Sequence, residues 1–458
     1  MMGKGGWLAR GRALLRAGKL DDAVAALLRA ETQAPADPRV QQALAQAYRA
    51  TGRPADATAA DCAAMALEAG SALVLYNLAT VYFMAYQYPE AEKWYRRALG
   101  LDPDLVVANQ NLAAILENDG RLAEAQTLRD RALRRQCLFV EPATEQPARR
   151  VLILAASAFG NVPIDALLPQ RTTTRIKWFV EYATDLGDAL PPYDIVFNAI
   201  GDADLAGPAA EHLNRFLEQC RRPVLNHPDA VAHTPRHLTP CRLAGIPAVV
   251  VPPVLRWGGG VAGLAEAAAE AGIAWPILLR PLGSHGGKGL VRIAGPDELA
   301  QQGPAEGETG YVTAYHDTRS ADGYYRKYRM IFIDRQPHAY HLAISPNWLV
   351  HYGSAEMLAE PWKRDEEQRF LEDPAAVLGG EALAAVAAIG RRLDLDFGGI
   401  DFGLLADGRV LVFEANATMN LHLNDSPEDF PYKHIHVPKI FHAFEAMLEQ
   451  RCADGADH

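Results

Sequence analysis

The sequence predicts a multidomain protein, in which an all-α array of helical repeats precedes an α/β domain and an α+β region. Three observations predict this order. Small residues recur every 34 positions in the first third of the chain. Apolar strand-like runs then alternate with a helical pattern, and the last third contains a hairpin of two apolar strands. The length of 458 residues, 49% of them hydrophobic, predicts two to four domains with substantial cores.

The helical repeats occupy residues 1–140. Small residues recur at three positions of the repeat, namely Ala23, Ala57, Ala91 and Ala125; Ala30, Ala64, Ala98 and Ala132; and Gly11, Ala45, Ala79 and Ala113. The turn between paired helices carries Gly18, Gly52, Tyr86 and Gly120. This pattern resembles the tetratricopeptide repeat (TPR), a 34-residue helix–turn–helix. The resemblance implies a superhelix of four repeats, which either binds a protein or peptide partner or serves as a scaffold that supports or dimerises the rest of the chain.

Composition excludes several classes of protein. The formal net charge of −11 and the pI near 5.7 argue against a general nucleic-acid or membrane-surface binder. The five cysteines are scattered and odd in number, so we expect neither structural disulfides nor a cysteine zinc site, and a reducing cytoplasm fits. We also expect no signal peptide and no membrane span, because no apolar run approaches the length that either needs.

A small parallel α/β domain is predicted at 149–228, after a polar linker at 141–150. Its strands are the runs VLILAAS, DIVFNAIGDAD and PVLNHP, and its helix is HLNRFLEQC. Polar loops follow the first two strands, at 159–163 and at Asn198 with 201–204. Loops at the carboxyl ends of parallel strands form ligand crevices, so these are either binding loops for an acceptor substrate or ordinary turns.

The most informative segment is the hairpin FGGIDFGLLADGRVLVFEANATMN. A two-residue turn at Asp407-Gly408 would place Asp401 opposite Glu414, with Asn416 on the same face and opposite Gly399. The other face is apolar and can pack on a core; it carries Ile400, Phe402, Leu404, Leu411, Phe413 and Ala415. Two opposed carboxylates repel, and a hard divalent cation between them would remove that cost. Gly399 leaves room for a second ion. The alternative is a hairpin with solvated acids.

Upstream lies a glycine-rich turn between two strands, in WPILLRPLGSHGGKGLVRI. Glycines at 283, 286, 287 and 289 allow backbone N–H groups to approach phosphate oxygens, and Arg280 and Lys288 add positive charge. The segment lacks the Walker spacing and no helical pattern follows it. It is therefore neither a P-loop nor a Rossmann fingerprint.

The glycine-rich turn and the acidic hairpin together resemble the ATP-grasp superfamily. Further matching features are the hinge-like segment YVTAYHD and a strand arginine, Arg329, in KYRMIFID. The resemblance covers about residues 150–445 and implies a pre-ATP-grasp α/β domain at 149–228 and two α+β lobes at 229–310 and 311–445. It implies that ATP is bound by Arg280, Ser284, His285, Gly286, Gly287, Lys288, Ala314 and Tyr315. It implies two Mg²⁺ ions, or Mn²⁺ in their place, held by Asp401, Glu414 and Asn416.

The sequence departs from the family in two places. Arg280 stands where the family usually has lysine, which keeps the charge on a bulkier group. Thr313-Ala314-Tyr315 occupies the place where the hinge often carries an acidic residue, so no ribose contact is assigned.

Other polar residues have more than one interpretation. Lys327 and Arg329 alternate on a strand, so both point to one face, either toward the γ-phosphate as transition-state stabilisers or as a surface pair. His341, His351 and Trp348 either line the substrate pocket or fill an edge strand. The spacing of His227, His233 and His237 suits no common zinc site. Arg236, among these histidines, is an expected phosphate contact.

The resemblance implies an ATP-dependent carboxylate–amine ligase similar to the glutathione-synthase and RimK-like branch. Its substrate carboxylate would be activated as an acyl phosphate and converted to an amide, with ADP and phosphate as products. The repeat domain suggests a peptide or protein substrate or partner. No nucleic-acid or membrane partner is expected. Two alternatives are a different ATP-dependent phosphotransferase, and a nucleotide-binding scaffold whose repeats do the work.

Overall fold

The computed structural model describes residues 6–157, 160–183, 190–204, 207–284 and 287–454. Phe159, His285 and Gly286, which the sequence predicts in loops, lie outside the described residues. The chain divides into two compact units, Met1–Cys137 and Leu138–His458.

The first unit consists of paired helices. They are α1 Gly6–Arg16, α2 Leu20–Gln33, α3 Pro38–Ala50, α4 Pro54–Ala69, α5 Ala72–Met84, α6 Tyr88–Leu101, α7 Val106–Asn118 and α8 Leu122–Arg135. The predicted small residues lie where helices meet, since a Cβ on Gly11 of α1 would come 2.5 Å from Leu27 Cγ of α2. Tyr86 has a φ of 59°, in the left-handed region that Gly18, Gly52 and Gly120 also occupy. The predicted turn position is therefore present in each helix pair.

The second unit begins with a five-stranded sheet in the order β1-β3-β2-β4-β5. Its strands are β1 Leu138–Glu141, β2 Arg149–Ala155, β3 Thr173–Phe179, β4 Ile195–Asn198 and β5 Val224–Leu225, and helix α9 Ala210–Gln219 lies between the last two in sequence. Strand β1 pairs antiparallel and the others pair parallel. The predicted strands are β2, β4 and β5, whereas β1 and β3 were missed.

Strand β1 corrects two predicted boundaries. Residues 138–140 were assigned to the repeats and residue 141 to the linker, but they form the edge of this sheet. Glu141 is held there by ion pairs to Arg175 at 2.5 Å and Lys177 at 2.7 Å, both on β3.

A second, antiparallel sheet has the order β7-β10-β8-β9. Its strands are β7 Val254–Trp257, β8 Ile277–Pro281, β9 Val291–Ile293 and β10 Gly310–Ala314. The helices of this region are α10 Pro228–Val231, α11 Thr239–Leu243, α12 Leu264–Glu270 and α13 Pro296–Gln302. Because β10 runs from Gly310 to Ala314, the predicted lobe boundary between 310 and 311 falls inside a strand. The division of the second unit into three domains remains a prediction.

The third sheet has the order β12-β11-β13-β14-β6. Its strands are β6 Val249–Val250, β11 Tyr325–Ile333, β12 Gln336–Ser345, β13 Phe397–Leu404 and β14 Val410–Asn416. Helices α14 Pro361–Glu372, α15 Pro374–Leu378, α16 Gly380–Leu393 and α17 Lys433–Asp454 complete the unit. Ile400 and Phe402 of β13 are fully buried, as the predicted apolar face requires. Their hydrophobic core is continuous with that of the first sheet, where the ring centroid of Phe197 lies 6.0 Å from that of Phe444 on α17.

Candidate functional site

The acidic hairpin has the predicted pairing near its open end. Asp401 lies opposite Glu414, and Gly399 lies opposite Asn416. The predicted two-residue turn is wrong. The backbone N–H of Leu405 donates to Arg409 O, which leaves a three-residue loop, and Gly408 takes a φ of +83° at its last position.

A β-bulge restores the register. Phe402 pairs with Val412, so Phe413 is the extra residue before Glu414 meets Asp401. Without that extra residue, Glu414 would turn to the apolar face of the sheet. Phe413 itself is 41% exposed and lines the cleft, so its predicted place on the packed face is wrong.

The carboxylates belong to a row of polar residues that crosses the third sheet. Register partners place Glu414, Asp401, Arg329 and His341 side by side on β14, β13, β11 and β12. Side chains of register partners point to one face, so the row forms one wall of a cleft.

Asp401 is bound by two cations. Arg329 donates from Nε to Oδ1 at 2.6 Å and from Nη2 to Oδ2 at 2.8 Å, and Lys327 Nζ lies 3.2 Å from Oδ2. Burial would raise the pKa of Asp401, but the charges of Arg329 and Lys327 outweigh it and hold that pKa well below its usual range. Lys327 and Arg329 do share a face, and the alternative of a surface strand pair does not fit their pairing to an acid that is only 5% exposed.

Glu414 is bound by two arginines from outside the sheet. Arg236 Nη2 lies 2.7 Å from Oε1, and Arg280 Nη1 lies 3.4 Å from Oε2. Asn416 Nδ2 donates to Oε1 at 2.6 Å. Burial would raise the pKa of Glu414, and the two arginines lower it below the usual range. The alternative of a hairpin with solvated acids is therefore excluded.

The predicted space for a second ion beside Gly399 is occupied. A Cβ at this position would come 2.6 Å from Met330 O and 2.8 Å from Met419 Cγ. Glycine is needed here because β11 and Met419 pack closely against it.

The glycine-rich turn is anchored by Arg280. Its Nη2 donates to Ser284 O at 2.9 Å and its Nε to Ser284 Oγ at 3.3 Å. Gly287 and Lys288 line the cleft. His285 and Gly286 lie outside the described residues, so their predicted phosphate contacts stay predictions.

Residues of the second and third sheets line a cleft of about 940 Å³. Ala314 and Tyr315 line it, as the hinge assignment requires, but the backbone N–H of Tyr315 already donates to Pro276 O at 2.7 Å. His341, His351 and Trp348 also line the cleft, which favours the pocket interpretation over edge filler. The sequence did not indicate Tyr340, Tyr352, His422, Asp425 and Lys433 at this cleft, because no motif contains them, and Tyr311 stands in the hinge-like segment without an assigned role.

Two loops that follow strands of the first sheet were predicted to be either binding loops or ordinary turns, and the structure gives a different answer for each. Gly160, Asn161 and Pro163 line the cleft. Asn198 is 1% exposed and donates to Asn226 O at 2.9 Å, so its role is structural. Asp204 accepts from Tyr311 Oη at 2.6 Å, which ties this loop to strand β10.

The remaining histidines do not form a cluster of metal ligands. Within the described ranges, no group of three or more histidine, cysteine, aspartate or glutamate side chains could hold a metal ion. His227 Nδ1 accepts from the backbone N–H of Asp229, and His237 stacks on Tyr311 at 5.9 Å. In the same described part of the chain, no helix is long and apolar enough to cross a membrane.

The donor set on the hairpin is compatible with a hard divalent cation. Two carboxylates and the amide oxygen of Asn416 share one face, and Asn416 Oδ1 has a weak contact, 3.4 Å from Thr418 Oγ1. The arginines and Lys327 now neutralise both carboxylates, so they would have to give way in part to such an ion.

Comparison with known proteins supports the architecture. Residues 4–47 and 72–105 match two family models that are described as tetratricopeptide repeat. These residues are TPR repeats. No curated protein matches the chain in sequence.

Three solved structures illustrate the similarities of fold. The ATP-grasp ligase PsnB, complexed with precursor peptide PsnA2 and AMPPNP, is 14% identical, with a TM-score of 0.38, over 66% of this chain and 98% of its own. D-alanine–D-alanine ligase from Bacillus anthracis is 14% identical, with a TM-score of 0.41, over 68% and 100%. A RimK domain ATP-grasp protein from Sphaerobacter thermophilus is 15% identical, with a TM-score of 0.37, over 64% and 98%. At this identity the likeness concerns the fold alone. The helices and sheets described above confirm the predicted fold class, TPR helices followed by α/β and mixed-sheet regions.

Proposed function

We propose that the second unit is an ATP-dependent carboxylate–amine ligase of the ATP-grasp type. The observation that carries this proposal is the pair of hairpin carboxylates, each bound by two cations, in a cleft beside a glycine-rich turn. Among the described residues, seven lysines and arginines line the cleft against three carboxylates, although the whole chain has a net charge of −11. A concentration of positive charge in an acidic protein favours a polyanion such as ATP.

The chain supplies binding and charge rather than a nucleophile. Arg236, Arg280 and Lys288 would bind the nucleotide phosphates. Gly287 has no side chain, so phosphate oxygens could approach the backbone N–H groups there. Lys327 and Arg329 would stabilise the charge on the transferred γ-phosphoryl group. Mg²⁺, held by Asp401, Glu414 and Asn416, would neutralise charge on the phosphate oxygens.

The reaction then has two steps. An oxygen of the substrate carboxylate attacks the γ-phosphorus, the bond to the β-phosphate oxygen breaks, and ADP leaves. An amine next attacks the acyl carbon of the acyl phosphate and releases phosphate. Closure of the glycine-rich turn over the cleft would exclude water from this reactive intermediate. We further propose that the TPR unit binds a peptide or protein, either as the substrate or as a partner.

Hydroxylamine tests this function because it can replace whichever amine the protein uses. The protein is incubated with Mg-ATP, hydroxylamine and pools of amino acids, dipeptides and short peptides, while ADP, phosphate and hydroxamate are measured together. We expect one pool to give hydroxamate in proportion to ADP, and Glu414→Gln to abolish both. AMP and pyrophosphate as products would indicate an adenylate and contradict the acyl phosphate. A phosphorylated acceptor without hydroxamate would indicate a phosphotransferase.

A further inference from the structure

The row of polar residues on the third sheet ends in a histidine that the proposed chemistry leaves unused. His341 on β12 is the register partner of Arg329, which binds Asp401. Its side chain lines the cleft, yet the residue is only 9% exposed. Its Nε2 is buried and has no hydrogen-bond partner among the described residues. Buried polar atoms are nearly always paired, so an unpaired nitrogen on a side chain that lines a cleft indicates a missing partner atom.

The surroundings fix the ring and keep it uncharged. His341 stacks on Tyr352 at 4.8 Å between centroids and lies 5.0 Å from the ring of Tyr340. The charged groups that act most strongly on its pKa are Arg329, Asp401, Lys327 and Lys433. Burial first, and then the charge of Arg329, hold the pKa of His341 well below its usual range, so the imidazole is neutral near pH 7.

We propose that His341 is the general base of the ligation step, which accepts a proton from the incoming amine at Nε2. This inference rests on the proposed function. The amine nitrogen forms a bond to the acyl carbon and gives one N–H proton to Nε2. The bond between the acyl carbon and the bridging oxygen breaks, and its electron pair leaves on phosphate. His341 then returns the proton to the departing phosphate, so the ring ends neutral.

The charge on the neighbouring cations controls when His341 can accept a proton. Arg329 and Lys327 together carry one positive charge more than Asp401 balances, and this excess opposes a positive charge on His341. A phosphoryl group bound by both cations cancels much of that charge. His341 therefore becomes a better proton acceptor once the acyl phosphate has formed beside it, which is when the amine must attack.

The test separates phosphorylation from ligation. His341→Gln keeps a polar side chain without a basic nitrogen, and His341→Phe keeps the ring that stacks on Tyr352. His338→Gln is the matched control, because His338 is another partly buried histidine of β12 and is not among the residues lining the cleft. AMPPNP binding by calorimetry establishes that each variant retains its nucleotide site.

The nucleophiles are hydroxylamine, whose weakly basic nitrogen loses its proton to water near pH 7 without a protein base, and the amino-acid amine that gives the highest amide yield with the wild type. With the acid selected by hydroxamate yield, we expect both His341 variants to keep hydroxamate formation within about threefold of the wild type. We expect their amide kcat to fall by about 100-fold, the usual lower range for general-base catalysis. Expressed per unprotonated amine, the wild-type pH profile of amide formation should lose its acidic limb in both variants.

Other outcomes overturn the proposal. An equal fall in hydroxamate and amide, or in AMPPNP binding, would show that His341 supports the structure only. Unchanged amide formation would show that it takes no part. If the wild type yields hydroxamate and the variants give either of these results, only the role of His341 is contradicted. A wild type that yields no hydroxamate with any acid overturns the ligase proposal and this inference with it.

Discussion

Four cationic side chains converge on two carboxylates, and this shapes both stability and binding. The side chains of Asp401 and Glu414 are 7% and 16% exposed, so neither carboxylate is solvated enough to be stable without a counter-charge. Removing one partner of a buried ion pair leaves a desolvated charge, which costs more than the intact pair contributes. The site therefore behaves as a unit in which each carboxylate is the shared counter-charge of two cationic side chains.

Asp401→Asn should lower the free energy of unfolding by about 3 kcal/mol, because it leaves the buried Arg329 and Lys327 without a counter-charge. Asp407→Asn is the control on the same hairpin. Asp407 pairs with Arg409 at 2.7 Å, but both side chains are more than half exposed, so we expect a change below about 1 kcal/mol. Urea unfolding measures both. Equal losses in the two variants would contradict the buried-pair argument.

The same acids predict how stability depends on pH. The folded pKa values of Asp401 and Glu414 lie below the ordinary values of 3.8 and 4.5, because the bound cations outweigh burial. Their contribution is therefore complete above about pH 5 and is lost as the pH falls below the ordinary values and through the lowered ones. Unfolding measured from pH 6 to pH 3 should show a smaller loss of stability in Asp401→Asn than in the wild type. Parallel curves of stability against pH in the two proteins would show that Asp401 does not contribute to this pH dependence.

Metal binding should depend on nucleotide. Arg236 and Arg280 bind Glu414, so a divalent ion must displace positive charge unless phosphates draw these arginines away. We expect Mn²⁺, followed by electron paramagnetic resonance, to bind the wild type at least tenfold more tightly with AMPPNP than without it. Arg236→Gln should strengthen binding of Mn²⁺ alone. Arg256→Gln is the control, because Arg256 of β7 pairs with Asp204 at 3.8 Å and is not among the residues lining the cleft, and it should leave Mn²⁺ binding unchanged. Equal Mn²⁺ affinity with and without AMPPNP in the wild type would refute this.

At the scale of elements, the hairpin shows how a correct pairing can follow from two missed features. The sequence indicated a two-residue turn and no bulge, and the structure has a three-residue loop and a bulge at Phe413. Each shifts the register by one residue in opposite directions, so Asp401 still meets Glu414. Alternation reveals which residues share a face, but the sequence carries no clear mark of a bulge. The cations on Glu414 were also beyond sequence reasoning as partners, because they come from a loop and from another sheet.

The glycine-rich turn contains a matched pair of glycines. Gly283 and Gly289 have φ values of +67° and +71°, so alanine costs about 1 kcal/mol of backbone strain at either position. A Cβ at Gly289 would also lie 2.9 Å from Pro281 Cγ, whereas nothing lies within 4 Å of one at Gly283. Gly289→Ala should therefore weaken AMPPNP binding more than Gly283→Ala, by several-fold in calorimetry. Similar affinities in the two variants would show that the contact with Pro281 is easily relieved.

For the whole molecule, the sequence anticipated the order of the parts better than their borders. The 34-residue period placed the helix pairs and their turns, because small residues are needed wherever helices approach closely. The alternation of strands and helices found β2, β4 and β5. The short strand β1 was assigned to the repeats and their linker because four residues carry too little periodicity to be recognised. Its partner β3 follows a loop with no strong turn signal, and its place is fixed by pairing with distant residues.

The border can be tested by truncation. Removing residues 1–137 leaves a compact unit with its first sheet complete, whereas removing residues 1–141 also deletes β1. Loss of β1 exposes an edge of β3 and deprives Arg175 and Lys177 of their ion pairs to Glu141. We expect the shorter deletion to fold and to bind AMPPNP with the affinity of the full chain. The longer deletion should melt several degrees lower by circular dichroism. If residues 138–458 fail to fold alone, the two compact units are not independent, and if both deletions melt together, β1 does not belong to the stable part of its sheet.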